Sequence, residues 1–191
     1  MTKNLILALA ATLFFSSLAS SQDSRVLAEA TRISGDRFAV AAVTPRGAHV
    51  YAVSGPSVAV LNAVDKGLGD LFAVARKNGY YRRLKYSDYS IYIARADRTR
   101  DYKGDYSPDI AVGAAQYTGS VYDQGGFIYA AGIVISNDPC SLLIAEHSKN
   151  IDRISNVVRY EGEHLVLYHN DRRRYMATMD HSRGGAHPIL Q

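Results

Sequence analysis

The fold is decided by the stretch from Val58 to Lys77, which reads VAVLNAVDKGLGDLFAVARK. Its apolar residues recur at steps of three and four, the spacing that puts side chains on one face of a helix. Ser57 is a residue type that caps helices, and Asn78-Gly79 is a typical helix end. We therefore expect a helix over 57–78 that packs on the core. Its core-facing residues are Val60, Leu61, Val64, Leu68, Leu71 and Phe72.

Before this helix, two apolar or β-branched runs at 38–43 and 48–53 flank the segment 44–47, which contains both Pro45 and Gly47. Such a pattern predicts a β-hairpin. Residues 24–34 fit either a short helix or a first strand.

After the helix, residues 90–94 alternate like a half-buried strand, and 109–115 read as another. Residues 126–135 form a near-continuous apolar run, which is typical of a buried central strand. The pattern after 135 is broken by Ser136 to Pro139.

A second long helix is predicted over 150–169, again from steps of three and four, with a short helix from Arg172 to Met179. The expected fold class is α+β. A mainly antiparallel sheet packs against two principal helices, 57–78 and 150–169, in a single domain over residues 22–191.

Residues 1–21 have the pattern of a secretory signal peptide, with Lys3 before an apolar run at 5–15 and small residues around Ala19. The alternative is an anchor that stays attached. No later run is apolar for long enough to span a bilayer, so we expect no membrane span after leader removal and a secreted or periplasmic protein. Cys140 is the single cysteine, which excludes an internal disulfide framework.

The formal net charge is +4, too small to require a nucleic-acid partner. Residues 80–106 interleave tyrosine and arginine, a pattern that can stack bases or sugars, but aspartates dilute its charge. Nucleic acid is thus an unlikely partner. A peptide, a glycan or a cell-surface ligand is expected instead.

The run Tyr160-Glu161-Gly162-Glu163-His164 carries the clearest chemical signal. It resembles the His-Glu-x-x-His helix of zincin-like metallopeptidases, with tyrosine in the first histidine position. The resemblance implies a zinc cofactor and a glutamate that acts as general base on zinc-bound water. It covers about thirty residues and identifies no specific family.

The spacing of Glu161 and His164 predicts a metal site without reference to that resemblance. On a helix, Glu161 and His164 lie on one face, and a Glu-x-x-His pair can present both groups to one metal ion. A chain reversal after Asn170 would return His181 or His187 to this face. The expected ligands are Glu161, His164, His181 and His187, with binding weakened below about pH 6.5 as the histidines protonate.

Glu161 is either a zinc ligand or the catalytic general base. Three further side chains are expected nearby as polar groups: Tyr160, His169 and Asp171.

Two functions follow from these patterns. The first is an exported zincin-like domain that performs metal-assisted hydrolysis. The second is a non-enzymatic binding domain, in which the tyrosine-rich region 80–122 meets a glycan or protein and the histidine cluster is structural. The same glutamates and histidines also fit ordinary hydrogen-bonded helix residues.

Overall fold

The computed structural model describes residues 23–95, 127–130, 133–146, 150–179 and 187–191. Predictions for the leader at 1–21, the strand at 109–115 and His181 lie outside these residues. No helix in the described ranges is long and apolar enough to cross a membrane. In chain order, the helices and strands are α1 (Ser24–Ser34), β1 (Val40–Val43), β2 (His49–Ala52), α2 (Val58–Lys77), β3 (Tyr89–Ala94), β4 (Phe127–Ala130), β5 (Ile133–Ser136), β6 (Cys140–Ala145), α3 (Ile151–Asn170) and α4 (Arg172–Thr178).

The α+β class is as expected, but the sheet is mixed rather than mainly antiparallel. Its six described strands have the order β1-β2-β3-β6-β5-β4. The outer pairs are antiparallel, whereas β2–β3 and β3–β6 at the centre are parallel. The prediction was wrong because α2 is a crossover between β2 and β3, and a helix between neighbouring strands makes them parallel.

The apolar run at 126–135 does not form one central strand. It contains two strands, β4 and β5, which pair antiparallel at one side of the sheet. The buried position next to β3 belongs to β6, whose six residues are all buried. The sequence analysis predicts that the strand ends at Ser136 to Pro139 and assigns no further strand after it.

The predicted helices 57–78, 150–169 and 172–179 are confirmed, and every end lies within one residue of the predicted one. Residues 24–34, left open between helix and strand, form α1, which Asp23 caps by accepting the N–H groups of Arg25 and Val26. The Ser57 hydroxyl caps α2 by accepting the N–H of Val60 at 3.3 Å. The predicted core face of α2 is buried, except that Leu61 is only partly covered.

The sheet separates two apolar clusters. The larger one joins α2 and α3 to one face through Tyr89, Ile91 and Ile93, and the smaller one joins α1 to the other face through Tyr92 and Ala94. This alternation follows from the two-residue period of a strand.

Helices α2 and α3 pack closely and run in the same direction. Gly67 of α2 lies against Ser155 and Val158 of α3, and further along, Gly162 of α3 lies against Leu71. The absence of a Cβ atom at each glycine lets the helices approach. The C-terminal halves of both helices therefore lie at the same end of the sheet layer.

Candidate metal centre

Helix α3 presents Glu161 and His164 one turn apart. The His164 side chain is fully buried, and that of Glu161 is 14% exposed. Their closest atoms, Glu161 Oε2 and His164 Nε2, are 4.0 Å apart. Gly162, which lies between Glu161 and His164 in sequence, packs against Leu71 of α2. This packing holds the backbone between the two residues in place.

Segment 187–191 returns to this helix and is held there by its backbone. The N–H of Ile189 donates to Glu163 Oε2 at 2.6 Å, and the Ile189 carbonyl accepts from Arg174 Nη2 at 2.5 Å. The next residue, Leu190, is fully buried in the larger apolar cluster. These contacts hold the backbone in place at Ile189, two residues after His187.

His187 thereby lies beside the α3 groups. Its Nε2 is 3.4 Å from Glu161 Oε1, and its ring is edge-on to that of His164 with centroids 5.3 Å apart. One potential ligand atom from each of Glu161, His164 and His187 can be chosen so that all three lie within 4.8 Å of one another. The structure thus brings together three of the four predicted ligands.

Glu161 and Glu163 influence the protonation of His187. Burial by itself lowers the pKa of His187, but Glu161 and Glu163 outweigh this effect and raise that pKa to about 9. Burial raises the pKa of Glu163, yet the His187 ring 3.6 Å away and the hydrogen bonds from Arg159 and the Ile189 N–H lower it below its usual value. Without a metal ion, the two neighbouring glutamates therefore favour the protonated form of His187.

Of the three polar side chains predicted to lie near the site, only Tyr160 does so. The Tyr160 ring lies 6.1 Å from that of His187, and Tyr160 is partly exposed at the edge of the site. His169 instead contacts the Asn137 carbonyl at 2.8 Å, and Asp171 caps α4 through the N–H of Arg174. His169 and Asp171 therefore have structural roles away from the metal centre.

Glu163 and Arg159 are functional neighbours that the sequence analysis missed. Glu163 is fully buried and bonds Arg159, one turn earlier on α3, as well as Ile189. The four-residue spacing of Arg159 and Glu163 is a sequence signal for an ion pair. Nothing in that spacing indicates that the pair holds a segment 26 residues further along the chain.

The donor set matches what zinc binds, because two imidazoles and a carboxylate are typical zinc ligands. Glu161 Oε2 is also buried and accepts no hydrogen bond among the described residues. A buried carboxylate oxygen of this kind is costly unless a cation or donor approaches it. Glu161 thus fits the role of ligand, and Glu163, already bonded to Arg159 and Ile189, is not free to act as general base.

A separate cleft of about 140 Å³ lies at the carboxyl ends of the parallel strands, between Ser57 of α2 and Arg95. Its lining contains none of the predicted site residues. The Arg95 side chain there is bonded to Asp36. The metal centre is therefore the stronger candidate among the described residues.

Comparisons with protein-family models, curated proteins and solved structures find no match to this chain. The zincin-like resemblance of residues 160–164 accordingly stays a prediction. Function is inferred from the site itself, because a fold alone does not specify chemistry.

Proposed function

We propose that this protein binds one zinc ion through Glu161, His164 and His187 and uses it for metal-assisted hydrolysis. The observation that carries the proposal is the convergence of the three ligand atoms within 4.8 Å, on two segments separated in sequence. Convergence from separate segments distinguishes this site from the common case of a Glu/His pair along a single helix.

The separations fit a zinc ion after a small adjustment. Ligand atoms about 2.0–2.1 Å from a tetrahedral zinc ion lie about 3.3 Å from one another. Glu161 Oε1 is 3.4 Å from His187 Nε2, and the other oxygen, Oε2, is 4.0 Å from His164 Nε2. With one ligand atom from each residue, the separations are within 4.8 Å. Side-chain rotation of His164 and His187 supplies the remaining contraction.

The number of ligands favours a reactive site over a purely structural one. The three protein ligands among the described residues leave the fourth tetrahedral position for water, whereas structural zinc sites use four protein ligands. Zinc supplies the acidity that turns such a water into a nucleophile near neutral pH. In the chain, Glu161 holds the ion, Glu163 holds the His187 segment, and Tyr160 places a hydroxyl-bearing ring at the rim.

The experiment is a calorimetric zinc titration of the metal-free wild type and of His164→Ala, with His169→Ala as the matched control. We expect one zinc per chain in wild type and in His169→Ala, and at least a hundredfold weaker binding in His164→Ala. Equal affinity in wild type and His164→Ala, or no zinc binding by wild type, would eliminate the site.

Hydrolysis is tested separately, on a mixed peptide library with the zinc-loaded protein and with the His164→Ala variant. Cleavage only by the zinc-loaded wild type supports the full proposal. Zinc binding without cleavage retains the metal site and favours the non-enzymatic binding domain, since Glu163 is not free to act as a base.

A further inference from the structure

A basic surface lies where the C-terminal ends of α2 and α3 meet. The side-chain oxygen of Asn170 accepts the backbone N–H groups of Tyr81 at 3.1 Å and Arg82 at 2.9 Å, and its amide donates to the Arg82 carbonyl. These bonds fix the turn after α2 against the start of α4. Five exposed basic residues lie on the last turn of α2, in the chain that follows it and at the start of α4. They are called the basic surface below: Arg76, Lys77, Arg82, Lys85 and Arg173.

The basic surface has few acidic neighbours among the described residues, and of its five charges Arg173 interacts electrostatically with Asp171. Neighbouring Arg83 approaches carboxylates of Asp88 and Asp138 at 3.7 and 3.5 Å. In contrast, none of the five side chains of the basic surface forms an ion pair with an acidic residue in the described ranges. Asp171, which lies among them, already accepts the Tyr80 hydroxyl at 2.9 Å.

The fold explains two of the three arginines at the start of α4 but not the third. The first turn of a helix favours acidic side chains, because the helix dipole is positive there. Arg172 stacks over the rings of Tyr168 and Tyr175, and Arg174 bonds the Ile189 carbonyl. Arg173 has no such ring or backbone contact in the described structure and interacts with Asp171 only electrostatically, so its exposed side chain is available to a partner outside the chain.

Two large apolar side chains accompany these charges. Tyr81 is 71% exposed at the turn, and Met176 is 52% exposed on α4, three residues after Arg173 and on the same helix face. Tyrosine beside lysine and arginine is typical of the membrane–water interface. Single-stranded nucleic acid would use Tyr81 for stacking but would leave Met176 without a role.

We propose that the basic surface binds anionic phospholipid headgroups at a membrane, with Tyr81 and Met176 entering the interfacial region. This role is separate from zinc binding. Asn170 is nine residues beyond Glu161 on α3, which is about 13 Å along the helix axis. Docking through the basic surface would leave the metal centre away from the lipid contact.

The test is co-sedimentation of the full chain with vesicles of phosphatidylcholine alone and of phosphatidylcholine mixed with phosphatidylglycerol. Any binding by the apolar run at 5–15 is common to all variants and does not require anionic lipid. We expect wild type to prefer the anionic vesicles, and salt to weaken that preference. Each basic residue near an anionic bilayer contributes about fivefold in binding, so Arg82→Gln/Arg173→Gln loses roughly twenty-five-fold.

The matched control is Arg37→Gln/Lys66→Gln, which removes the same charge from exposed positions outside the basic surface. It should retain the preference for anionic vesicles, and Tyr81→Ser should weaken binding with no change in charge. Equal binding to both vesicle types, or equal losses in the two double variants, overturns the proposal. So does binding to a single-stranded oligonucleotide that depends on Arg82 and Arg173 when vesicles are not bound.

Discussion

The Glu163 carboxylate accepts the backbone N–H of Ile189 at 2.6 Å, although 26 residues separate the two in sequence. This contact places His187 beside Glu161. Two glutamates on one helix therefore have different roles: Glu161 faces the candidate metal position, and Glu163 holds the chain segment that completes it.

The two glutamates should respond differently to the same substitution. Glu163→Gln removes a buried partner of Arg159 and weakens the bond to Ile189, so we expect a loss of about 3–5 kcal/mol in the free energy of unfolding without metal. Glu161→Gln should change that free energy much less and should abolish zinc binding. Denaturant unfolding and zinc titration of both variants measure this. Similar stabilities for the two variants would show that Glu163 does not hold segment 187–191.

Zinc binding should strengthen with pH over a wider range than the ordinary histidine pKa implies. Zinc binds neutral imidazole, whereas the carboxylates keep His187 protonated up to a pKa of about 9. The expected zinc affinity thus rises about tenfold per pH unit up to about pH 9. At pH 7, calorimetry in buffers of different ionisation enthalpy should detect at least one proton released per zinc. An affinity that levels off above pH 6.5 would mean that the carboxylates do not control His187.

Without zinc, the fold should lose stability as the pH rises through 9. The folded-state pKa of His187 lies above the ordinary histidine value of about 6.5, so the contribution of this residue is complete below pH 6.5 and is lost as pH rises to about 9. The contribution is on the order of 3 kcal/mol at most. Thermal unfolding of the metal-free wild type and of His187→Gln between pH 6 and 10 measures this contribution. The pH values should cover about one unit on either side of each pKa. The same slope in both proteins would assign the loss to other groups.

The two glycines between α2 and α3 should differ in their tolerance of alanine. A Cβ at Gly67 would lie 2.6 Å from the Ser155 carbonyl and 2.9 Å from the Val158 Cβ, neither of which can move alone. We expect Gly67→Ala to cost about 1–3 kcal/mol.

At Gly162 the clash is with Leu71 Cδ2, the end of a side chain that can rotate. The higher helix propensity of alanine, worth about 1 kcal/mol, offsets part of that cost. Denaturant unfolding should therefore rank Gly162→Ala as more stable than Gly67→Ala. The reverse order would contradict the described packing.

Local patterns predicted the helices well because periodicity and caps act within a few residues. Helix α2 has the expected start after Ser57, and Leu68, Leu71 and Phe72 are buried as expected. The sequence analysis did not predict the parallel strands, because the direction of a strand depends on how it is connected to its neighbour rather than on its residue composition. The order hairpin, helix, strand in 38–94 does contain the signal for a parallel pair.

The candidate site was predictable in part. Helical spacing places Glu161 and His164 on one face, and the breaks after Asn170 indicate a chain reversal. The position of His187 depends on the burial of Leu190 and on the bonds of Ile189 to Glu163 and Arg174. Contacts between distant backbone groups have no periodicity in sequence, so local patterns could not select His187.

The return of segment 187–191 to α3 also sets an order of assembly. Synthesis runs from the N-terminus, so His187 leaves the ribosome after Glu161 and His164. A nascent chain that has folded α2 and α3 still lacks one ligand and the covering Leu190. In the proposed site, this incomplete pair offers a zinc ion only two of its three described ligands until segment 187–191 docks.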